Sequence, residues 1–112
     1  MNSSLSGIAK ISISNTNLPA NSDIVININL LDESTLKKIT PVFISVLHKN
    51  TETSFTLIAD YTYNLKSEKN IIKLVSDFGS GNFILRCGFY FLNEIQKEYP
   101  NFYSKDYMIT VN

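Results

Sequence analysis

Tryptophan is absent from this 112-residue chain, cysteine occurs once, histidine once, proline three times and glycine four times. Each shortage closes off a class of protein. The lone Cys87 excludes an intramolecular disulfide, so the fold must rest on packing. With His48 the only histidine, no His/Cys set stands at metal-ligand spacing, and no cofactor is expected. Neither charge is in excess: ten Lys and Arg meet ten Asp and Glu, for a formal net charge of zero. Proteins that hold nucleic acid or an anionic surface by long-range electrostatics carry a basic surplus, so nucleic acid is not expected as a partner. No apolar run approaches the roughly 20 residues that span a bilayer, so direct membrane insertion is not expected either. The stretch Met1–Gly7 is rich in Ser and Asn. It has no basic segment followed by an apolar core, and it reads as a flexible segment and not as a secretory signal.

Catalytic spellings are missing too. There is no G-x-S-x-G elbow, P-loop or dinucleotide fingerprint. Gly79-Ser80-Gly81 leads into another strand pattern and not a helix, so it offers no helix N-terminus to a phosphate and reads as a turn. The carboxylates are scattered, with Asp32-Glu33 on one loop and Glu94 and Glu98 on another, and no D-x-D-x-D-G calcium spelling appears. An enzyme is not expected.

What the chain does have is alternation. In Asp23-Ile24-Val25-Ile26-Asn27-Ile28-Asn29-Leu30, the residues Ile24, Ile26, Ile28 and Leu30 share one side. Side chains of a strand point to opposite faces in turn, so this spells a strand with one face buried and one wet. Similar runs cover Ala9–Ser14, Val42–His48 behind Pro41, Phe55–Tyr63, Ile71–Val75, Phe83–Leu92 and Tyr107–Val111. Strands at this spacing, parted by polar turns, predict an all-β, two-sheet antiparallel sandwich of seven to eight strands, immunoglobulin-like or jelly roll. Residues 8–112 then form a single domain. The expected core includes Ile26, Ile28, Ile44, Val46, Leu57, Leu74, Leu85, Cys87, Phe89 and Ile109. Cys87 is in step with Phe83, Leu85, Phe89 and Phe91 and is therefore expected to be a buried, inert thiol. His48 reads as a strand-end surface residue. Residues 32–38 are expected to form a loop, with Ser34 a candidate cap for a single helical turn.

One connection is too long. Fourteen residues, Asn93 to Asp106, separate the last two strand patterns, and they carry Tyr99, Pro100, Phe102 and Tyr103. Three readings stay open for this loop: a plug for the end of the sandwich, an aromatic binding platform, and disorder. Aromatic faces suit the C–H faces of sugars, and neighbouring amides and charged groups bond to hydroxyls. On that reading the ligand-binding residues are Asn27, Asn29, Arg86 and Tyr90 on wet strand faces, with Tyr99, Phe102 and Tyr103 at the rim.

The last third, Gly81-x-Phe83-x-Leu85 with the closing Tyr107-Met108-Ile109-Thr110-Val111, resembles the ending of many bacterial immunoglobulin-like domains. With Pro41-Val42-Phe43-Ile44-Ser45-Val46 it is most similar to the C-terminal sugar-recognition domain of O-antigen ABC exporter ATPases. The chain departs from that pattern at Lys49-Asn50-Thr51, where a Gly before a D-G turn is expected, and it is short for the family. The resemblance implies a non-catalytic, cytoplasmic module that binds a polysaccharide for export. Without it, the competing class is a structural or adhesion module at the cell surface, cut from a larger chain. The expected partners are thus a glycan or another protein, with a homodimer through an edge strand as a further expectation.

Overall fold

A computed structural model describes residues 8–112, and for Glu94 the backbone alone. The expected flexible segment 1–7 lies outside the described residues. Eight strands are present: β1 (Ala9–Ile13), β2 (Asn17–Leu18), β3 (Asp23–Leu30), β4 (Val42–Lys49), β5 (Phe55–Tyr63), β6 (Lys69–Val75), β7 (Gly81–Tyr90) and β8 (Phe102–Val111). Among the described residues there is no α-helix, only two short 3₁₀ turns at Glu33–Lys37 and Leu92–Glu94. The strands form a sheet of three, β1-β3-β6, and a sheet of five, β2-β8-β7-β4-β5. The protein is an all-β sandwich. Its β1-β3-β6 and β8-β7-β4-β5 orders follow the A-B-E and G-F-C-C′ arrangement of immunoglobulin-like domains. Neighbouring strands run antiparallel, with one exception. The two-residue β2, in a stretch that reads as a turn-rich link, pairs parallel with the end of β8.

Alternation does the sorting. In β3 every second residue from Ile24 to Leu30 is buried, while Val25, Asn27 and Asn29 face away from the core. In β7 the inward row Phe83, Leu85, Cys87 and Phe89 has no exposed surface. Burying such side chains contributes roughly 1.5–3 kcal/mol each before the entropy of ordering them is subtracted. Nine of the ten expected core residues are in that core.

Leu57 is the exception, at 55% exposed. The pairing of β4 with β5 shifts register between Val46 and Leu47: Val46 faces Ala59, but Leu47 faces Leu57. Ile58 is the extra residue of a β-bulge, and one extra residue turns the rest of the strand over. Ala59, Tyr61 and Tyr63 therefore keep the inward side, while Leu57 moves to the outer face. The first 3₁₀ turn is capped by Asp32, not by the candidate Ser34: the Asp32 carboxylate accepts the Ser34 N–H at 3.0 Å. That bond holds the Asp32 carboxyl below the usual carboxylate range. His48 is half-buried, not on the open surface, with its ring 5.2 Å from that of Phe83. Gly79 and Gly81 have φ of +89° and +140°, the turn geometry that glycine permits.

The fourteen-residue loop is shorter than the sequence suggests. β8 begins at Phe102, five residues before the apolar pattern becomes legible at Tyr107. The reason is exposure. From Phe102 to Met108 only Tyr103 and Tyr107 are partly covered, so this half of β8 shows no buried row. Its pairing with β7 runs from Tyr90–Phe102 to Gly81–Val111.

Candidate surface site on the five-stranded sheet

The outer face of the five-stranded sheet is built from cross-strand pairs. Ser45 of β4 faces Arg86 of β7, and Arg86 faces Asp106 of β8. Residues directly opposite one another have Cβ atoms about 5 Å apart, close enough for a planar fork to meet a carboxylate. Arg86 Nε donates to Asp106 Oδ1 at 2.8 Å and Nη2 donates to Oδ2 at 2.9 Å. Both side chains remain 45% exposed. The bond from Asp106 raises the Arg86 pKa further above its ordinary value. On the other side, Ser45 Oγ donates to Asp60 Oδ1 at 3.1 Å, and the polar row extends to β5.

Two residues along the strands lie Gly88 and Ser104, and two further lie Tyr90 and Phe102. Rings gather here. Phe43 and Tyr90 have centroids 5.8 Å apart, and Tyr90 and Phe102 are 5.5 Å apart. Gly88 is needed beneath them, because a Cβ there would lie 2.2 Å from the Tyr103 carbonyl oxygen of β8 and 2.8 Å from both Phe43 Cζ and Ser104 Cβ. The result is an open depression of about 590 Å³ lined by Arg86, Phe102, Ser104, Lys105 and Asp106. Four strand steps, about 13 Å, separate the ion pair from the Tyr90–Phe102 rings.

Of the residues expected to bind ligand, Arg86, Tyr90 and Phe102 come together here. Asn27 and Asn29 do not. They sit on the outer face of the three-stranded sheet, across the whole sandwich. Tyr99 is 85% exposed on the connection after β7 and lines none of this depression. Tyr103 points the other way, into the sandwich: its ring stacks on Phe89 at 5.4 Å and its hydroxyl donates to the Ala9 carbonyl at 2.9 Å. Burial raises its pKa. Tyr103 thus plugs the sandwich, while its neighbour Phe102 is exposed on the outer face. Phe43, Ser104 and Asp106 are residues that sequence reasoning did not place at the site. The signal that bears on them is Gly88 in mid-strand, which marks a close approach of another group.

Cys87 is buried, and burial pushes its thiol up to about 12. Among the described residues no group of three or more His, Cys, Asp or Glu is placed to hold a metal ion.

The fold is an all-β sandwich of two sheets, and its five-stranded sheet carries an aromatic and ion-paired outer face. No known family and no curated protein matches the sequence. Solved structures match the fold. The soluble domain of PmoD from Methylocystis sp. ATCC 49242 (Rockwell) is similar over 93% of this chain and 90% of its own, with a TM-score of 0.57 and 6% identity. A superoxide reductase (neelaredoxin) from Ignicoccus hospitalis is similar over 94% of this chain and 80% of its own, with a TM-score of 0.54 and 8% identity. A point variant of that reductase aligns over 97% of this chain, with a TM-score of 0.57 and 8% identity. At such identities the likeness concerns the fold alone, and function must be argued from the site.

Proposed function

We propose that this chain is a non-catalytic binding module that recognises a glycan on the outer face of its five-stranded sheet. The observation that carries the reading is the open depression lined by the Arg86–Asp106 pair and Phe102, with the Tyr90 ring beside Phe102. Tyr90 and Phe102 are 37% and 47% exposed and offer faces to the C–H side of a sugar. Arg86 spends two of its five donors on Asp106, so others stay open to a hydroxyl, and the carboxylate oxygens retain lone pairs to accept one. A donor and an acceptor held side by side match a vicinal diol. Affinity should be modest, with a Kd between about micromolar and millimolar, because the depression is shallow.

NMR titration with a panel of neutral oligosaccharides tests this. Amides of Arg86, Tyr90 and Ser104 should shift, and Phe102→Ala should weaken binding roughly 3–10-fold, the worth of one aromatic contact. If no sugar shifts those amides, the reading fails. A second reading, a module that binds another protein, is favoured by a different row of the same face. Leu57 and Met108 are 55% and 53% exposed there, with Leu47 and Ile84 between them. A protein partner would shift that row and leave the rings untouched. A P-loop ATPase encoded upstream in the same gene would assign the glycan to polysaccharide export.

A further inference from the structure

Among the described residues, every sheet edge but one is protected. Along β1, the Ala9 and Ile11 carbonyls accept the Tyr103 and Tyr107 hydroxyls. β6 carries Lys69 and Lys73, and the open part of β8 carries Lys105 and Asp106. β2 is two residues long. Short edges and charged edges are the usual defences against pairing with another chain. β5 is nine residues long, has no Lys, Pro or Gly, and lies at the end of the five-stranded sheet. Its one charge, Asp60, is already an acceptor for Ser45.

We infer that β5 pairs antiparallel with β5 of a second copy of this chain, across a two-fold axis at Tyr61. The bulge at Ile58 bends the strand and leaves Ala59–Tyr63 as its regular stretch, five residues, the common length of a strand in a sheet. With Tyr61 opposite Tyr61 of the partner subunit, Asp60 faces the partner's Thr62 and small Ala59 faces the partner's large Tyr63. No like charges meet. The whole chain adds no repulsion, since its formal net charge is zero. The inward side of this stretch is also short of cover: Ala59 and Tyr63 are half-buried and Tyr61 is 36% exposed. Partner tyrosines would complete what the narrower three-stranded sheet leaves open.

Sedimentation velocity over a wide concentration range tests the pairing, and a reversible monomer–dimer equilibrium is expected. Tyr61→Lys sets two ammonium groups opposite each other and should abolish the dimer, with the circular dichroism spectrum unchanged. Ile71→Lys, on β6 of the other sheet, should leave it intact. Tyr61→Cys should cross-link two chains under oxidation, since opposed Cα atoms about 5 Å apart suit a disulfide, whereas Phe55→Cys should not. Should Tyr61→Lys fail to fold, the cysteine pair decides. A wild type that is monomeric at every concentration, or a dimer that cross-links through residue 55 and not 61, would overturn the proposal. So would a monomer whose β5 amides shift only with a foreign peptide.

Discussion

Two tyrosines fasten the ends of this chain together. Tyr103 and Tyr107 of β8 reach across the sandwich to the Ala9 and Ile11 carbonyls of β1, contacts more than ninety residues apart in sequence. Removing either hydroxyl should cost about 1 kcal/mol, and somewhat more if the carbonyl left behind finds no water. The pH dependence follows from burial, which raises both phenol pKa values above the ordinary 10. The folded chain thus holds these protons more tightly than the unfolded chain does. Stability from this source is complete below pH about 10, and it is lost as pH climbs through the raised folded values. Denaturant titrations at rising pH should show that loss, and Tyr103→Phe with Tyr107→Phe should flatten it. Cys87 behaves in the same sense. Its buried thiol, with a pKa of about 12, should label slowly in native protein and quickly in denaturant. Rapid native labelling would mean that β7 is not the centre of the core.

At the scale of the strand, alternation was a sound guide wherever one face is buried against the other sheet. Ile24 to Leu30 and Phe83 to Phe89 are legible because water and core take turns along them. It failed where that contrast is missing. The outer half of β8 has little buried on either face, so Phe102–Asp106 read as loop. In β5 the unbroken sequence pattern hides the bulge at Ile58, and no residue type there announces it. The two strands give a sharp comparison. Phe89→Ala should cost roughly 3–5 kcal/mol, the loss for a fully buried ring. Leu57→Ala should stay within about 0.5 kcal/mol, as for an exposed side chain, although its sequence phase matches that of a core residue. Equal losses in chemical denaturation would show that the bulge is misplaced. Gly88→Ala is the complementary change, driving a methyl into the Tyr103 carbonyl of the paired strand as well as against Phe43 and Ser104. Because that contact is with backbone, β7 and β8 must shift, so the cost should reach or exceed the upper end of the about 1–3 kcal/mol typical of overpacking, and the ring next to the proposed site would be displaced.

For the whole molecule, residue types alone could not say which wet faces meet. Asn27 and Arg86 both sit on the outer sides of alternating strands, but β3 and β7 belong to different sheets, so the two side chains point in opposite directions. Sheet membership depends on pairings between distant segments, and a reading of local periodicity carries no information about them. Arg86, Tyr90 and Phe102 do share a surface because β7 and β8 are hydrogen-bonded neighbours. Charge, by contrast, can be read from the chain as a whole, and it sets the last expectation. With ten charges of each sign and the site's own arginine neutralised by Asp106, a ligand displaces no condensed counterions and gains little from long-range steering. Binding should therefore rest on ring contacts and hydrogen bonds, which salt screens weakly. Titrations at low and high sodium chloride should give dissociation constants within about threefold of each other. A protein making six or more phosphate contacts loses about a thousandfold or more over a comparable change. A steep salt slope would reassign the Arg86 face to a polyanion, and Arg86→Lys would then keep most of the affinity that a sugar-binding fork should lose.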